Sequence, residues 1–323
     1  MAKKFSGTNE EWDALVLNAG AQNNAWGFVL QSSKWADVLV ARGARVVRIV
    51  DESNQPSLWT LLKITHGIWV WYCPKGPIVL PEHANEWRAL ISVLQHERHA
   101  TVLRIEPTIA APENFKKRKS ISPTHSLITL LGNNFESLFK SFHEKTRYNI
   151  RVAEKHGVRA VRLTGEMLHQ QLHRILSLYT ATGERHGISS MPAAELRALV
   201  ATADVWVAWY ENRIIATSFH VGFGDTYTYL HGASSYDDRA LMGPYALHAA
   251  AMQYAIEQSF ARYDWWGVAP ENDETHPLAG VTRFKLGFGG SMVSAPGTFD
   301  LGIDRLRYSL YTWGVRAAKR MRS

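Results

Sequence analysis

The chain has 323 residues, a length that predicts two domains, and it carries 36 Lys or Arg against 29 Asp or Glu. The net charge of +7 fits an anionic partner and fits equally a protein that is simply kept soluble by its charge. Cys73 is the only cysteine, which excludes an internal disulfide, and no signal peptide or membrane-spanning apolar run is found, so we expect a cytoplasmic protein.

The first half begins with helical segments and continues with β-branched and aromatic runs that are separated by polar turns. Such runs are typical of antiparallel strands. Leu90, Val93 and Leu94 then recur at helical spacing before a last strand. In chain order we predict helices at 9–21 and 32–43, strands at 45–50, 57–65 and 68–79, a helix at 82–99 and a strand at 101–107.

The second half repeats this order of elements. Three strands, a helix and a further strand occur in both halves, and each copy would bury one face of a mixed, mostly antiparallel sheet under helices. The predicted fold class is therefore α/β, layered in the α+β manner. In chain order we predict helices at 134–157, 165–187 and 192–203, strands at 204–210, 214–223 and 226–235, a helix at 243–260 and a strand at 262–267.

A polar and basic stretch at 111–123, which is flanked by prolines, marks the junction between the two copies. We interpret its Lys116–Lys119 run as a solvated linker, with a nucleic-acid patch as the alternative. The expected domains are 1–122 and 123–296. A strand and basic helix at 297–323 are expected to pack back on the first domain.

Common catalytic and metal-binding motifs are missing from the sequence. It contains no G-x-S-x-G, no H-E-x-x-H, no Walker loop and no paired C-x-x-C. His96 and His99, like His169 and His173, have the spacing of metal ligands, but neither pair has a convincing third ligand nearby. We interpret both pairs as solvated helix faces and expect no metal site.

Residues 239–245 lie where a predicted strand ends and a helix begins, a position at which free backbone N–H groups can bind an anion. This stretch partly resembles the pyrophosphate loop of acetyl-coenzyme A-dependent acetyltransferases. It lacks the second glycine of that loop, and Pro244 removes one N–H donor. The sequence therefore indicates the same architecture with a weakened coenzyme A cradle.

Longer runs follow one another in a fixed order along nearly the whole chain. The most specific is GVTRFKLGFGG at 280–290. In this order and spacing the runs resemble the Fem-type peptidoglycan aminoacyltransferases, the FemABX family. They lie at 28–35, 71–79 and 103–107 in the first half, and at 145–151, 154–158, 229–235, 243–248, 263–268 and 276–290 in the second.

The resemblance implies two tandem acyl-CoA N-acyltransferase (GNAT)-like domains, of which the second carries the catalytic motif, without the coiled-coil arm of the longest family members. It implies transfer of an amino acid from aminoacyl-tRNA to the amino group of the third residue of a peptidoglycan precursor peptide. The acceptor would be UDP-MurNAc-pentapeptide or its lipid-linked form. No cofactor would be needed, since the ester of a charged tRNA is already activated.

The resemblance assigns the catalytic role to Lys285, as a cation beside the carbonyl oxygen on which negative charge develops. The alternative is a surface lysine extending from a strand. Phe284 would pack against the substrate or, alternatively, in the core. Arg147 and Arg151, four residues apart on one predicted helix face, either bind phosphate or tRNA or belong to a solvated face.

Acceptor binding is assigned by resemblance to one residue of the first domain and two of the second. Lys34 and Arg185 resemble residues that the family places against the phosphates of the precursor, and Tyr236 resembles a tyrosine that contacts the acceptor. Thr182 stands three residues before Arg185, where the family favours a spacing of two.

The segment 305–323 carries six basic residues, no acidic residue and an apolar stripe on one helical face that includes Leu306, Leu310 and Trp313. Such a helix contacts an anionic membrane peripherally, packs its stripe on the first domain, or does both by docking through its first turns and leaving its end free. Two other functions stay open. One is an acyl-CoA-dependent N-acyltransferase on the same fold, and the other is a non-catalytic basic protein that binds RNA or a membrane.

Overall fold

A computed structural model describes residues 2–22, 26–52, 54–63, 68–78, 89–94, 100–108, 111–185 and 193–320. The chain divides into two compact units. The first comprises residues 1–124 together with 294–323, and the second comprises residues 125–293.

The first unit is built on a seven-stranded sheet with helices. The strand order is β1-β2-β3-β4-β5-β14-β6, in which β4 and β5 are parallel and the other neighbours are antiparallel. The elements are β1 (Lys3–Lys4), α1 (Asn9–Gln22), α2 (Ser33–Ala41), β2 (Arg45–Val50), β3 (Pro56–Lys63), β4 (Trp69–Cys73), the helical residues 89–94 (α3), β5 (Val102–Ile105), β6 (Lys116–Arg118), β14 (Thr298–Gly302) and α10 (Arg305–Arg320).

A buried ion pair holds the late strand β14 in this sheet. The guanidinium of Arg104 in β5 donates to both carboxylate oxygens of Asp300, at 2.6 and 2.8 Å, and Arg118 Nε of β6 lies 3.4 Å from the same carboxylate. A fully buried carboxylate is stable only with such partners. The prediction of a linker at Lys116–Lys119 is therefore wrong, because Lys116–Arg118 form a strand paired with β14, while the three lysines of the run are solvent-exposed as predicted.

The second unit also has a seven-stranded sheet, in the order β13-β7-β12-β11-β10-β9-β8. Its elements are β7 (His125–Leu130), α4 (Phe135–Ser141), α5 (Glu144–Lys155), β8 (Arg159–Leu163), α6 (Gly165–Arg185), α7 (Ala193–Val200), β9 (Asp204–Tyr210), β10 (Arg213–Phe223), β11 (Thr226–Ser234), α8 (Gly243–Glu257), β12 (Arg262–Gly267), α9 (Ala279–Leu286) and β13 (Ser291–Ser294).

The repeat read in the sequence is confirmed by the topology. In each unit three consecutive antiparallel strands are followed by a helix and by a strand that runs parallel to the third, as β2-β3-β4-α3-β5 and as β9-β10-β11-α8-β12. Both sheets carry helices, so the predicted fold class is confirmed. Within the described part of the second unit no coiled-coil arm occurs.

The helix predicted at 134–157 is two helices rather than one. Asn134 caps the first, its side chain accepting a hydrogen bond from Ser137 N at 3.0 Å. Phe142 then leaves the helical conformation, with φ −63° and ψ 150°, and its ring is buried against Phe288. Tertiary packing of this aromatic side chain therefore divides a segment whose local spacing is continuous.

The helix α10 exposes the apolar stripe that was identified in the sequence. Leu306, Leu310 and Trp313 are exposed, whereas Tyr308 is buried among the side chains of this helix that the structure describes. The alternative in which the stripe packs on the first domain is therefore wrong. Among the described residues, no helix is both long and apolar enough to cross a membrane.

Candidate active site

The amino group of Lys285 is held inside the second unit. The residue lies on α9, is almost completely buried, and donates from Nζ to the backbone oxygens of Trp265 and Gly267, both at 2.7 Å. A buried amine is stable only when its donors find acceptors. The structure thus excludes the alternative of a surface lysine.

The two accepting carbonyls belong to an irregular turn of strand β12. The pairing of β12 with β7 shifts register between Asp264 and Gly267, and Trp266 in between has a positive φ of 57°. Ser126 Oγ and Trp266 N both donate to Asp264 Oδ1, which fixes the turn. A bulge of this kind redirects backbone groups away from the ladder, here toward Lys285.

Burial lowers the pKa of Lys285 to about 7, against a smaller opposing effect of the Asp264 carboxylate. The ammonium and amine forms are therefore both populated near neutral pH. A group in this position can act as a cation toward developing negative charge. It can also exchange a proton close to physiological pH.

A glycine allows α9 to approach α5 closely. A Cβ added to Gly287 would stand 2.3 Å from Thr146 Oγ1, and the carbonyl of Gly287 accepts from His143 N at 2.9 Å. At Gly290 a Cβ would stand 2.6 Å from Ile128 O, and φ is 122°. The glycines of the GFGG run therefore set the position of α9, and through it the position of Lys285.

Phe284 is partly buried and packs against the core of the second unit. Its ring contacts Tyr245, Phe288 and His248, with centroids 4.9, 5.4 and 5.6 Å apart. These contacts attach α9 to the core of the second unit, which agrees with the core alternative for this residue.

A chain of hydrogen bonds runs through the buried aromatic residues beside Lys285. Tyr263 OH lies 2.6 Å from His220 Nε2 and 2.7 Å from His248 Nδ1. Burial lowers the pKa of His220 to about 3 and also lowers that of His248, and it raises the pKa of Tyr263. All three groups are therefore neutral at pH 7. The hydrogen bonds among them order the core without adding charge to it.

Arg185 at the end of α6 is bound to strand β11 through the backbone. Its Nη1 and Nη2 donate to Ser234 O at 3.3 and 3.2 Å. Thr182, one helical turn earlier, donates to the same oxygen at 3.2 Å and accepts from Ser234 N at 3.3 Å. The three-residue spacing that departs from the family pattern thus places Thr182 and Arg185 on one helix face.

Two guanidinium groups lie near the ring of Tyr236. The Cζ of Arg185 lies 5.6 Å, and that of Arg239 4.2 Å, from the centroid of its half-exposed ring, and Arg239 Nη1 also donates to Tyr236 O at 2.9 Å. Two of the predicted acceptor-binding residues, Arg185 and Tyr236, are therefore adjacent. Arg239 joins them, which gives an exposed cluster with two positive charges.

Lys34 belongs to the first unit and lies exposed in the first turn of α2. This turn is well fixed. Ser32 Oγ accepts from Trp35 N at 3.2 Å, and Asp13 accepts from Ser33 N at 2.7 Å. Lys34 is thus the first-unit member of the predicted set, and the remaining candidates belong to the second unit.

Arg147 and Arg151 share one face of α5, as their spacing predicts, but their surroundings differ. Arg147 is half-buried, and its Nη1 donates to the oxygens of Lys140, at 3.0 Å, and Phe142. Arg147 thereby binds the carbonyl end of α4. Arg151 is exposed, with its guanidinium 5.6 Å from the ring centroid of Phe139.

In the turn before α8, where the sequence partly resembles a phosphate loop, a glycine lets the start of the helix pack closely on β10. Met242 has φ 55° and makes no side-chain cap, and a Cβ on Gly243 would stand 2.8 Å from Ile215 Cδ1. The described residues contain no group of three side chains suited to a metal. His169 and His173 are exposed on α6, and His96 and His99 lie outside the described residues.

The sequence interpretation did not identify the roles of Arg239, His248 and Tyr263. Helical spacing carried a signal for His248, since it occupies the face of α8 that also buries Met252 and Ala255. A histidine among buried apolar positions requires a hydrogen-bond partner. The partner, Tyr263, is on another strand, so local spacing does not reveal it.

Two solved structures share the architecture of this chain. A crystal structure of FemX superposes with a TM-score of 0.76 at 19% identity, covering 95% of this chain and 99% of that one. A tandem GNAT protein from the clavulanic acid biosynthesis pathway superposes with a TM-score of 0.52 at 11% identity, covering 94% and 98%. At these identities the likeness shows the fold.

The chain belongs to the FemAB family, whose profile matches residues 117–202 and 192–314. The aminoacyltransferase FemB of Staphylococcus epidermidis is 30% identical over 103 residues, which are 31% of this chain and only 25% of FemB. The UDP-N-acetylmuramoylpentapeptide-lysine N(6)-alanyltransferase of Weissella viridescens is 23% identical over 228 residues, or 63% of this chain and 68% of that protein.

Proposed function

We propose that the protein is an aminoacyltransferase that moves an amino acid from aminoacyl-tRNA to the amino group of the third residue of a peptidoglycan precursor peptide. The observation that carries the proposal is the buried Lys285, whose Nζ is fixed on two carbonyls inside the unit that the family profile matches. The names of the FemB and alanyltransferase relatives support the reaction class.

In the proposed reaction the acceptor amine attacks the ester carbonyl of the charged tRNA. An N–C bond forms, the C–O bond to the ribose breaks, and the proton of the amine ends on the released ribose hydroxyl. Negative charge develops on the carbonyl oxygen before the C–O bond breaks. The ammonium of Lys285 stabilises that charge, and the loss of one such donor typically costs about 10²–10³ in rate.

The proposed acceptor is UDP-MurNAc-pentapeptide or its lipid-linked form, and a lipid-linked acceptor would place the enzyme in the cytoplasm at the inner face of the plasma membrane. Arg185, Arg239 and Tyr236 form an exposed cluster suited to an anionic group on the acceptor, because guanidinium groups bind phosphate through paired donors. Lys34 is a further candidate for acceptor binding, in the first unit.

Product analysis with each donor tests the reaction. The protein is incubated with charged tRNAs and UDP-MurNAc-pentapeptide, and in parallel with acyl-coenzyme A and the same acceptor. The masses of the products are then measured by mass spectrometry. We expect a mass gain of one aminoacyl residue, located on the third residue by fragmentation. A gain of an acyl group from coenzyme A, or no product from any charged tRNA, would contradict the proposal.

A further inference from the structure

The helix α10 has one face that attaches it to the first unit. Tyr308 is buried against Val70, Tyr72 and Val102, with Tyr311 partly buried beside it. The two tyrosines are three residues apart and so share one face of the helix. This face fixes the rotation of α10 about its own axis.

The opposite face of α10 is apolar and exposed. Leu306, Leu310 and Trp313 are 73%, 62% and 71% exposed. Each stands two residues from one of the attached tyrosines, which is about 200° around an α-helix. With the tyrosine face packed, the described residues of the first unit leave this stripe exposed.

The charge of α10 is of one sign. Between Arg305 and Arg320 the sequence contains five basic residues and no acidic one. Arg307 is exposed, and its Nε lies 3.4 Å from Asp304, the residue before the helix. An apolar stripe within a strongly basic helix is complementary to an anionic interface that also accepts apolar side chains.

We infer that α10 docks on an anionic lipid surface, with Leu306, Leu310 and Trp313 inserted at the boundary between headgroups and acyl chains. Basic residues of the same helix then interact with the headgroups. A second copy of the chain is a poorer occupant, since two basic helices facing each other would bring like charges together. Docking needs no substrate, and it stands whether or not the proposed transfer reaction is correct.

Vesicle flotation tests the inference with the full chain and no substrate. Vesicles of phosphatidylcholine with and without phosphatidylglycerol are compared at low and high salt. We expect binding to the anionic vesicles at low salt, and binding about 10-fold weaker or more in the variant L306Q/L310Q/W313Q, which changes apolar area and leaves charge intact. High salt should weaken the binding of the unmodified protein.

A matched control separates this stripe from general surface apolarity. Val40, Leu130 and Met167 are exposed apolar residues outside α10, and V40Q/L130Q/M167Q should bind vesicles like the unmodified protein. Circular dichroism establishes that both variants are folded. Three results would each overturn the inference: no binding to anionic vesicles at low salt, equal binding by both triple variants, or stripe-dependent self-association in place of vesicle binding.

Discussion

The two units share a topology but differ where their parallel strands end. In the first unit β4 and β5 pair at four successive positions, from Val70–Val102 to Cys73–Ile105. In the second unit β11 and β12 pair only from Thr226–Arg262 to Thr228–Asp264, although β11 continues to Ser234. The same repeat therefore has paired strand ends in one copy and diverging strand ends in the other.

The hydrogen-bond partners of the backbone near these strand ends also differ between the two units. In the first unit the Gln31 side chain accepts from Leu58 N at 2.7 Å and donates to Pro74 O at 2.5 Å, while Glu106 N donates to Gly76 O at 2.9 Å. These bonds satisfy one backbone group of β3 and two carbonyls of the segment after β4. In the second unit the carbonyls at the bulge of β12 accept hydrogen bonds from the amine of Lys285. The first copy thus satisfies these backbone groups with amide hydrogen bonds, and the second copy satisfies them with a buried amine.

Each unit also buries a lysine, and the comparison of the two is instructive. Lys75 Nζ donates to Pro123 O at 2.6 Å and lies 3.6 Å from the ring centroid of Trp26. Both lysines are thus held by backbone oxygens. We expect only Lys285 to serve the reaction, because it lies in the unit with the diverging strands.

The largest expected effect comes from exchanging each lysine for methionine, which keeps its length and removes its charge. Lys285→Met should lower transfer by about 10² or more, because the charge on the carbonyl oxygen loses its cation. Lys75→Met should lower the free energy of unfolding by about 1–3 kcal/mol and leave transfer per folded molecule unchanged. Single-turnover rates and denaturant titrations measure the two quantities.

Equal loss of transfer in both variants would mean that the comparison between the units is wrong. Unchanged transfer in Lys285→Met would remove this residue from the mechanism.

A smaller effect is expected at the cluster around Tyr236. Arg185→Ala and Arg239→Ala should each weaken binding of UDP-MurNAc-pentapeptide by about 1.5–3 kcal/mol, since each removes a charge-assisted contact. Arg174→Ala is the matched control, an exposed arginine on the same helix as Arg185, and should bind normally. Calorimetric titration measures the affinities. Normal affinity in both test variants would place the acceptor site elsewhere.

The same titration with Lys34→Ala extends the comparison to the first unit. We expect a loss of similar size if the resemblance assigns this residue correctly. An unchanged dissociation constant would confine acceptor binding to other residues.

The smallest effect concerns the packing that positions α9. Gly287→Ala should destabilise the protein by about 1–3 kcal/mol and slow transfer, because the added methyl group meets Thr146 at 2.3 Å. Gly280→Ala, on α9 itself, meets no atom within 4 Å and should be neutral or slightly stabilising. Thermal unfolding and transfer rates measure both. Equal unfolding temperatures and equal transfer rates in the two variants would mean that α9 tolerates displacement.

Local patterns predicted the repeated strands and helices because β-branched runs and helical spacing are properties of adjacent residues. They predicted a strand within 297–323, where β14 lies, but neither β6 nor its pairing with β14, next to which Asp300 binds Arg104, nearly 200 residues away in sequence. The break between α4 and α5 likewise depends on Phe142 packing against Phe288. The strand pairing and the helix break both depend on residues that are distant in sequence, so the spacing of neighbouring residues does not reveal them.

In the candidate site, too, the sequence predicted some residues, whereas others depend on tertiary contacts. The resemblance to one family identified Lys285, Arg185 and Tyr236, and the structure places the last two side by side. Arg239 was treated as part of a weakened phosphate loop, and its stacking on Tyr236 depends on a turn that the sequence does not specify. The low pKa of Lys285 follows from burial, which is a tertiary property.

The most direct test of the account is the pH dependence of the rate enhancement over uncatalysed aminolysis of the same ester. Dividing by the uncatalysed rate at each pH removes the ionisation of the acceptor amine. Because the pKa of Lys285 is lowered to about 7, the ammonium form is present below that pH and lost above it. The account predicts an enhancement that falls as pH rises through about 7. An enhancement that is constant or rises from pH 6 to about 9 would contradict a cationic role for Lys285.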